Sequence, residues 1–340
     1  MTNRYIQCLV VVLALACMPI PLYADPYQIA PNPNYGTIDI ITGDDATNNQ
    51  IFRNYSRIYI YSNGTLSNYD VMQNNDSLSN SGTLNNSGML YNIGTLENVH
   101  SGTLNNSGTL EIFGSGTLEN SGTLNNSAKL NIMSFGEFSG DGQYYQYAGQ
   151  TIVDAMASIT QGLVDIQGGI LQGNGSVTSS KHFVNGGGVR IGAGATVAPG
   201  PSLGALTTIG DFSSSGKFEF EIAGLGLGLY DVLDINGDAV FNGGTMQFDF
   251  IDEFNASVGN YWDFILANTF TGWATLSFTV NGLGEGLAWQ IVGDTGDTYR
   301  RLLITADGGG ETPVPEPSTM LLLGSGLAGL VGYGRRRFKK

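Results

Sequence analysis

Cysteine, histidine and basic side chains are scarce in this chain of 340 residues. The two cysteines, Cys8 and Cys17, lie within the first 24 residues, so the remainder can form no disulfide and use no thiolate chemistry. Between residues 25 and 314, 8 Lys plus Arg stand against 28 Asp plus Glu, a net charge of −20. Because a body this acidic repels phosphate backbones, we expect no nucleic-acid partner.

The first 24 residues have the layout of a secretory signal peptide. Arg4 precedes the apolar region Leu9 to Ala16, and the segment ends in the small residue Ala24. This order predicts export, with cleavage between Ala24 and Asp25. Cys17 leaves a lipoprotein signal open as an alternative.

A six-residue repeat fills much of the first half. Between Tyr61 and Asn131 every leucine falls in one register, with a spacing of six that is lengthened to eight twice, and Met72 fills the one vacant place. Glycine is frequent two positions before each leucine, where we expect turns. The leucines are Leu66, Leu78, Leu84, Leu90, Leu96, Leu104, Leu110, Leu118, Leu124 and Leu130. Two positions after them stand Asn68, Asn74, Asn80, Asn86, Asn92, Asn98, Asn106, Asn120 and Asn126, with Ile112 and Ile132 in the remaining places.

A period of six excludes a helix with 3.6 residues per turn, and the unit SGTLNN is too short to bury itself independently. Stacked units predict an all-β fold, a parallel β-solenoid with leucine inside and about three units, or roughly 18 residues, per coil. Asparagines at equivalent corners are then expected to hydrogen-bond from coil to coil. The repeat resembles those of bacterial haemagglutinin- and autotransporter-like surface proteins, which implies a β-helix.

The rest of the body divides by its patterns. We predict an N-terminal cap at 25–60, the repeat solenoid at 61–135 and an irregular β-helix continuation at 136–210. From 211 to 310 apolar residues alternate with polar ones between Gly-Asp and Asn-Gly pairs, which predicts antiparallel strands. These strands are expected to form a β-rich cap or small sandwich that closes the open end of the solenoid.

The C-terminal part carries a sorting pattern. A linker at 311–319 contains Pro315, Glu316 and Pro317, an apolar segment at 320–334 is expected to form a short membrane helix, and a basic tail at 335–340 begins with Arg335, Arg336 and Arg337. The pattern resembles the PEP-CTERM sorting signal; an ordinary C-terminal anchor is the alternative. The resemblance implies an exosortase and the secretion machinery as partners. It also implies transient anchoring in the inner membrane of a Gram-negative-type bacterium, before release to the cell surface or extracellular matrix.

Chemistry-bearing residues are few. Asp231, Asp234 and Asp238 are spaced so that they could bind Ca²⁺, although turns also favour Asp; otherwise we expect no cofactor. His100 interrupts the repeat inside an eight-residue unit, which predicts a small surface loop, and His182 has no assigned role. Glu97, Glu111 and Glu119 take outward positions, where a carboxylate pair for glycoside hydrolysis is conceivable but solvated surface is the simpler interpretation.

The sequence therefore predicts a non-enzymatic exported protein of the cell surface or extracellular matrix, associated with exopolysaccharide, biofilm or adhesion. Its expected partners there are extracellular polysaccharide or other surface proteins. A polysaccharide lyase or glycosidase built on a β-helix is the alternative, and adhesion between identical copies is a third hypothesis.

Overall fold

Parallel strands wind into a solenoid with three faces, named A, B and C below, as the six-residue repeat predicts. The computed structural model describes residues 26–30, 32–185, 187–200, 202–294 and 296–307. Each strand of the repeat pairs in parallel with the strands one coil before and one coil after it. On face A, Leu66, Leu84, Leu104 and Leu124 pair in succession, so these coils take 18 or 20 residues each.

Four long strands turn a corner and therefore contribute to two faces. Face A comprises Tyr27–Gln28, Asp45–Asn48, Thr65–Asn68, Thr83–Asn86, Thr103–Asn106, Thr123–Asn126, Gln143–Gln146, the first parts of Leu163–Gly173 and Gly188–Pro199, Phe212–Ser214, and the last parts of Val232–Phe241 and Tyr261–Thr271. Face B comprises Phe52–Asn54, Val71–Asn74, Met89–Asn92, Thr109–Ile112, Lys129–Ile132, Gln150–Val153, the last parts of Leu163–Gly173 and Gly188–Pro199, Lys217–Ile222, Thr245–Phe250 and Ser277–Asn281. Face C comprises Thr37–Ile40, Arg57–Ile60, Ser77–Asn80, Thr95–Asn98, Thr117–Asn120, Glu137–Ser139, Ser158–Gln161, Ser176–Ser179, Ala205–Ile209, and the first parts of Val232–Phe241 and Tyr261–Thr271.

Leucine fills the interior of the repeat region. All ten repeat leucines and Met72 are fully buried, with 0% of their surface exposed. Side chains two apart on a strand share a face, so each four-residue strand directs its leucine and the residue two positions later inward. Burial of one such leucine contributes about 1.5–3 kcal/mol before the entropy of ordering the chain is subtracted.

Buried asparagines form a hydrogen-bonded ladder on each face, which confirms the predicted corner ladders. On all three faces each amide nitrogen donates to the amide oxygen one coil further on, at 2.6–2.8 Å. The ladders are Asn48, Asn68, Asn86, Asn106 and Asn126 on face A, Asn34, Asn54, Asn74 and Asn92 on face B, and Asn80, Asn98 and Asn120 on face C. The second amide hydrogen commonly bonds a strand carbonyl, as Asn86 bonds Thr109 at 2.8 Å. These hydrogen bonds offset the free-energy cost of burying the amides.

The repeat glycines mark places where consecutive coils nearly touch. A Cβ added to Gly108 would overlap the carbonyl oxygen of Gly88 on the preceding coil. Gly108 is not among the residues with a positive φ, so close approach between the backbones, and not a left-handed conformation, requires glycine here.

The parallel stack extends beyond the repeat in both directions. In the segment predicted as an N-terminal cap, Phe52 pairs with Met72 and Ile58 pairs with Leu78, so these residues already belong to the solenoid. Parallel pairing also continues through residues 136–210, the segment interpreted as an irregular β-helix continuation.

The antiparallel pairing predicted for 211–310 is wrong for most of that region. Lys217–Ile222, Thr245–Phe250 and Ser277–Asn281 pair in parallel on face B. Apolar alternation has a period of two in either kind of sheet, so it did not distinguish them. The Asn236-Gly237 pair, interpreted as a hairpin turn, lies inside the strand Val232–Phe241 at a register shift. The core changes here from leucine to buried phenylalanine, including Phe212, Phe218, Phe220, Phe241, Phe248 and Phe264.

Antiparallel pairing between strands is confined, in the described part of the chain, to the last strands; elsewhere one isolated antiparallel bridge joins Ile222 and Tyr230. Tyr299–Ala306 lies between Tyr261–Thr271 and Leu287–Val292 and pairs antiparallel with both. One-turn 3₁₀ helices lie at Phe183–Asn185 and Trp273–Thr275. No helix among residues 26–307, apart from the positions left undescribed, has the length and apolar character needed to cross a membrane. The predicted short membrane helix at 320–334 lies outside the described residues.

Candidate functional site

Two regular columns of polar side chains run along the outside of face A. We call them the Thr–Asn face; its residues are Thr65, Ser67, Thr83, Asn85, Thr103, Asn105, Thr123 and Asn125. Thr65, Thr83, Thr103 and Thr123 occupy equivalent places on successive coils, and none of the eight side chains carries a charge. All eight are half-buried, because each leans on its neighbours along the column.

The amides of the Thr–Asn face hydrogen-bond to one another. Asn125 donates to Asn105 at 2.9 Å, Asn105 donates to Asn85 at 3.0 Å, and Asn85 reaches the hydroxyl of Ser67 at 3.4 Å. This outer ladder fixes the orientation of the amides. The Thr–Asn face therefore presents hydroxyl and amide groups at intervals of about 4.8 Å, the separation of neighbouring strands. Such a periodic, uncharged surface suits a ligand that is itself periodic and rich in hydroxyl groups.

Two of the three outward glutamates come together. Glu97 and Glu119 occupy equivalent positions on adjacent coils of face C. Glu111 lies on face B instead, where its carboxylate accepts a hydrogen bond from Lys129 at 3.0 Å. These three glutamates therefore include one adjacent carboxylate pair, and the third carboxylate has a cationic partner of its own.

The two histidines occupy exposed positions. His100 lies in a turn with φ of 46°, which confirms the predicted surface loop. His182 has an acidic neighbour that sequence spacing did not reveal, since its Nδ1 lies 3.3 Å from the carboxylate of Asp211. The pKa of Asp211 is lowered. The main cause is the hydrogen bond that its carboxylate accepts from the backbone N–H of Phe183, and the neighbouring His182 lowers it further.

The three aspartates considered for Ca²⁺ have separate environments. Asp231 is buried and its two oxygens accept hydrogen bonds from the backbone N–H groups of Gly204 and Glu221, at 2.8 and 2.9 Å. Asp234 faces outward on a strand, and Asp238 accepts a hydrogen bond from Thr269 at 2.8 Å. Across the part of the chain that the structure describes, no three acidic, histidine or cysteine side chains form a group that could hold a metal ion.

Asp231 is expected to make stability depend on pH. Burial raises the pKa of its carboxyl to about 7, against the opposing effect of its two backbone donors. The folded state thus keeps a proton that the unfolded chain releases near pH 4, so the free energy of unfolding should fall as the pH rises from about 4 to about 7. Urea unfolding of the wild type and Asp231→Asn at several pH values checks this, because other carboxylates contribute equally to both proteins. We expect a shallower fall in the variant; identical slopes would contradict the assignment.

An exposed apolar loop, which no sequence pattern indicated, lies near the antiparallel end of the solenoid. Leu225, Leu227 and Leu229 alternate with glycine between two strands, and Leu227 is 91% exposed. The loop borders a cavity of about 400 Å³ that Tyr230 and Tyr261 also line. A second cavity of about 450 Å³ lies beside Trp273, between the end of Tyr261–Thr271 and the loop before Tyr299–Ala306.

The predicted processing signals lie outside the described residues, so they rest on sequence. This holds for the cleavage site at Ala24 and Asp25 and for the sorting residues Pro315, Glu316, Pro317, Arg335, Arg336 and Arg337. Comparison with protein-family models provides independent information on the sorting residues. Residues 313–337 match the PEP-CTERM protein-sorting motif. The PEP-CTERM motif implies an exported protein that is processed by an exosortase. No curated protein matches the chain.

Proposed function

We propose that this chain is a non-enzymatic protein of the bacterial cell surface or extracellular matrix, in which the solenoid supplies a stiff rod and the Thr–Asn face binds polysaccharide. The Thr–Asn face carries the proposal. Its hydroxyl and amide groups recur with the coil repeat, so one polymer chain can form the same hydrogen bonds on several coils at once. Many weak contacts along one surface then add to useful avidity.

Charge favours a neutral polysaccharide on this face. The Thr–Asn face is uncharged, while residues 25–314 as a whole carry a net charge of −20 that repels polyanions. A neutral polymer meets neither repulsion nor the cost of stripping water from unpaired charges.

The fold suits a mechanical role. On face A, ten parallel pairing steps separate Asp45–Asn48 from the end of Tyr261–Thr271. At about 4.8 Å per step they span roughly 48 Å. In the repeat region, buried leucines and asparagine ladders tie each coil to the next, so this part of the rod resists bending. The exosortase and secretion machinery are the partners proposed for its export.

A carbohydrate-active enzyme is the competing function, and the adjacent pair Glu97 and Glu119 is the observation that favours it. A pair of carboxylates flanking the scissile bond is what glycoside hydrolysis needs. The two cavities described above have other linings, and both glutamates point outward from their strands. The enzymatic alternative predicts sustained release of reducing ends or unsaturated products from polysaccharide.

Affinity electrophoresis of the purified protein through gels containing neutral or acidic polysaccharides tests the proposal. We expect a neutral polysaccharide to retard the wild type. The triple variant Asn85→Ala, Asn105→Ala, Asn125→Ala should bind at least about tenfold more weakly, a loss of about 1.4 kcal/mol. A matched control on face C, Ser79→Ala, Thr160→Ala, Thr178→Ala, should bind like the wild type. Equal retardation of both variants, or no binding by the wild type, would overturn the role of the Thr–Asn face.

Two further assays examine the remaining alternatives. If prolonged incubation with polysaccharide releases reducing ends or unsaturated products, the protein is an enzyme and the proposed non-enzymatic role is wrong. Aggregation of beads coated only with this protein, in the absence of polysaccharide, would favour adhesion between identical copies.

A further inference from the structure

The cavity beside Trp273 is built from two segments far apart in sequence. Asn268, Thr269, Phe270 and Trp273 come from the end of one strand and the following 3₁₀ turn, and Gly293, Gly296 and Asp297 come from the loop that leads to Arg300. Its volume of about 450 Å³ falls within the usual range for small-ligand sites, about 300–1,000 Å³.

Arg300 is the unusual member of this lining. Its side chain is buried, with 6% of the residue exposed, and no carboxylate among the described residues lies within ion-pair distance of it, although Asp297 and Asp294 interact with its charge at longer range. The guanidinium lies 4.1 Å from the ring centre of Phe270 and 5.3 Å from that of Trp273. The two rings therefore hold the planar group in one orientation.

The hydrogen bonds of Arg300 are incomplete. Its Nη1 donates to the backbone carbonyl of Tyr299 at 2.8 Å and reaches that of Asp294 at 3.5 Å. Its Nε is buried and has no hydrogen-bond partner in the described part of the protein. A buried charge with incomplete hydrogen bonding is costly, and because Arg300 lines the cavity, an anionic ligand there would offset the cost of burying its charge.

The groups around Arg300 restrict the chemistry of such a ligand. A guanidinium matches a carboxylate because its parallel N–H groups form two hydrogen bonds to the two oxygens. The aromatic rings provide an apolar surface for a ring-shaped ligand. Asp297 accepts a hydrogen bond from the backbone N–H of Asp294 at 2.8 Å and remains an acceptor towards the cavity. A plain carboxylate leaves Asp297 without a donor, whereas a carboxylate that also carries hydroxyl groups can serve both residues.

We propose that this cavity binds a sugar unit that carries a carboxylate, such as a uronic acid at the end of a polysaccharide. The carboxylate pairs with Arg300, the face of the sugar ring lies against Trp273, and a sugar hydroxyl donates to Asp297. The site is separate from the Thr–Asn face, and its positive group lets it take an acidic sugar although the chain as a whole is acidic.

Titration of the full protein with galacturonic acid trimer, glucuronate and glucose, followed by calorimetry and tryptophan fluorescence, tests the proposal. We expect both uronates to bind and glucose to bind at least about tenfold more weakly. Arg300→Lys keeps the charge but loses the paired geometry, so it should also weaken uronate binding at least about tenfold. Arg301→Lys is the matched control, because Arg301 faces the other side of the same strand and pairs with Asp263 at 2.7 Å; it should bind uronate normally.

The outcomes separate clearly. Absence of uronate binding by the wild type at about ten millimolar ligand, equal binding of glucose, or preference for inorganic phosphate would each overturn the proposal. If Arg300→Lys fails to fold, Asp297→Ala serves instead: it removes the acceptor proposed for the sugar hydroxyl, so it should weaken uronate binding in a protein that stays folded. The triple alanine variant of the Thr–Asn face should still bind uronate, so failure of the proposed function and failure of this inference are distinguishable.

Discussion

Leu104→Asp is expected to unfold several coils of the solenoid together. Leu104 is fully buried and pairs with Leu84 on one side and Leu124 on the other. Removal of a buried leucine side chain costs about 2–5 kcal/mol, and a carboxylate placed in the same space adds the cost of burying a charge with no cation nearby. The sum approaches the whole stability of an ordinary domain, about 5–15 kcal/mol.

Thermal and urea unfolding followed by circular dichroism measure this effect. Since each coil is stabilised by its neighbours, the loss should spread along the stack and remove β-structure from more than one coil. Asn105→Asp is the matched control: it places the same carboxylate one residue further along the strand, on the outer surface, where a change within about 1 kcal/mol is expected. A Leu104→Asp protein that melts like the wild type would show that this leucine does not lie inside a stack.

Asn86→Leu is expected to have the second largest effect, although leucine is close to asparagine in size. Asn86 is fully buried, accepts a hydrogen bond from Asn68 at 2.6 Å and donates to Asn106 at 2.7 Å and to Thr109 at 2.8 Å. The leucine leaves the oxygens of Asn106 and Thr109 without these donors. Each unsatisfied buried group costs about 1–3 kcal/mol, so we expect a loss of roughly 3–6 kcal/mol once the broken bond to Asn68 is included.

A double-mutant cycle distinguishes a ladder from independent amides. Asn86→Leu and Asn106→Leu remove adjacent rungs, so their combined loss of stability should be smaller than the sum of the single losses by at least about 1 kcal/mol. Asn85→Leu makes the same substitution on the outer surface, where water replaces the lost bonds, and should cost much less. Additive losses in the cycle, or a larger loss for Asn85→Leu, would contradict the ladder.

The first half of the fold could be predicted because its signals repeat. A leucine such as Leu104 is ambiguous alone, but ten leucines in one register are compatible only with stacking. The asparagine register then fixes which residues meet across coils. Strict repetition also explains why Ile112 can end the ladder on face B without breaking the coil, since it stays buried in the same place.

The second half was harder because its strands lack a long repeat. The alternation in Lys217–Ile222 and Thr245–Phe250 identifies strands but gives no direction for their pairing. Gly237 was interpreted as part of a turn, yet it lies where a strand bends and its backbone approaches that of Gly210. Whether a larger side chain fits at position 237 depends on the backbone of the neighbouring coil, and the local sequence does not specify where that backbone lies.

Among the candidate sites, the Thr–Asn face was partly predictable and the cavity at Arg300 was not. The outward positions follow from strand alternation, but the outer ladder depends on the register between coils. The alternation of inward and outward residues along Tyr299–Ala306 did contain one overlooked signal for the cavity. Arg300 shares a face with the buried residues Leu302 and Ile304, so an arginine on the inner side of this strand could have been noticed. Its partners, Phe270 and Trp273, are too distant in sequence for spacing to reveal them.

Spin-label distances along face A test the stacked coil most directly. The chain has no cysteine between residues 25 and 340, so cysteine can be introduced at position 85 together with 105, 125, 145 or 165, which pair in succession on consecutive coils. Electron paramagnetic resonance should give separations that rise by about 4.8 Å per coil, to about 19 Å between positions 85 and 165. Separations that rise by about 30 Å for every 20 residues, as in a helix, or that show no regular increase would contradict the solenoid.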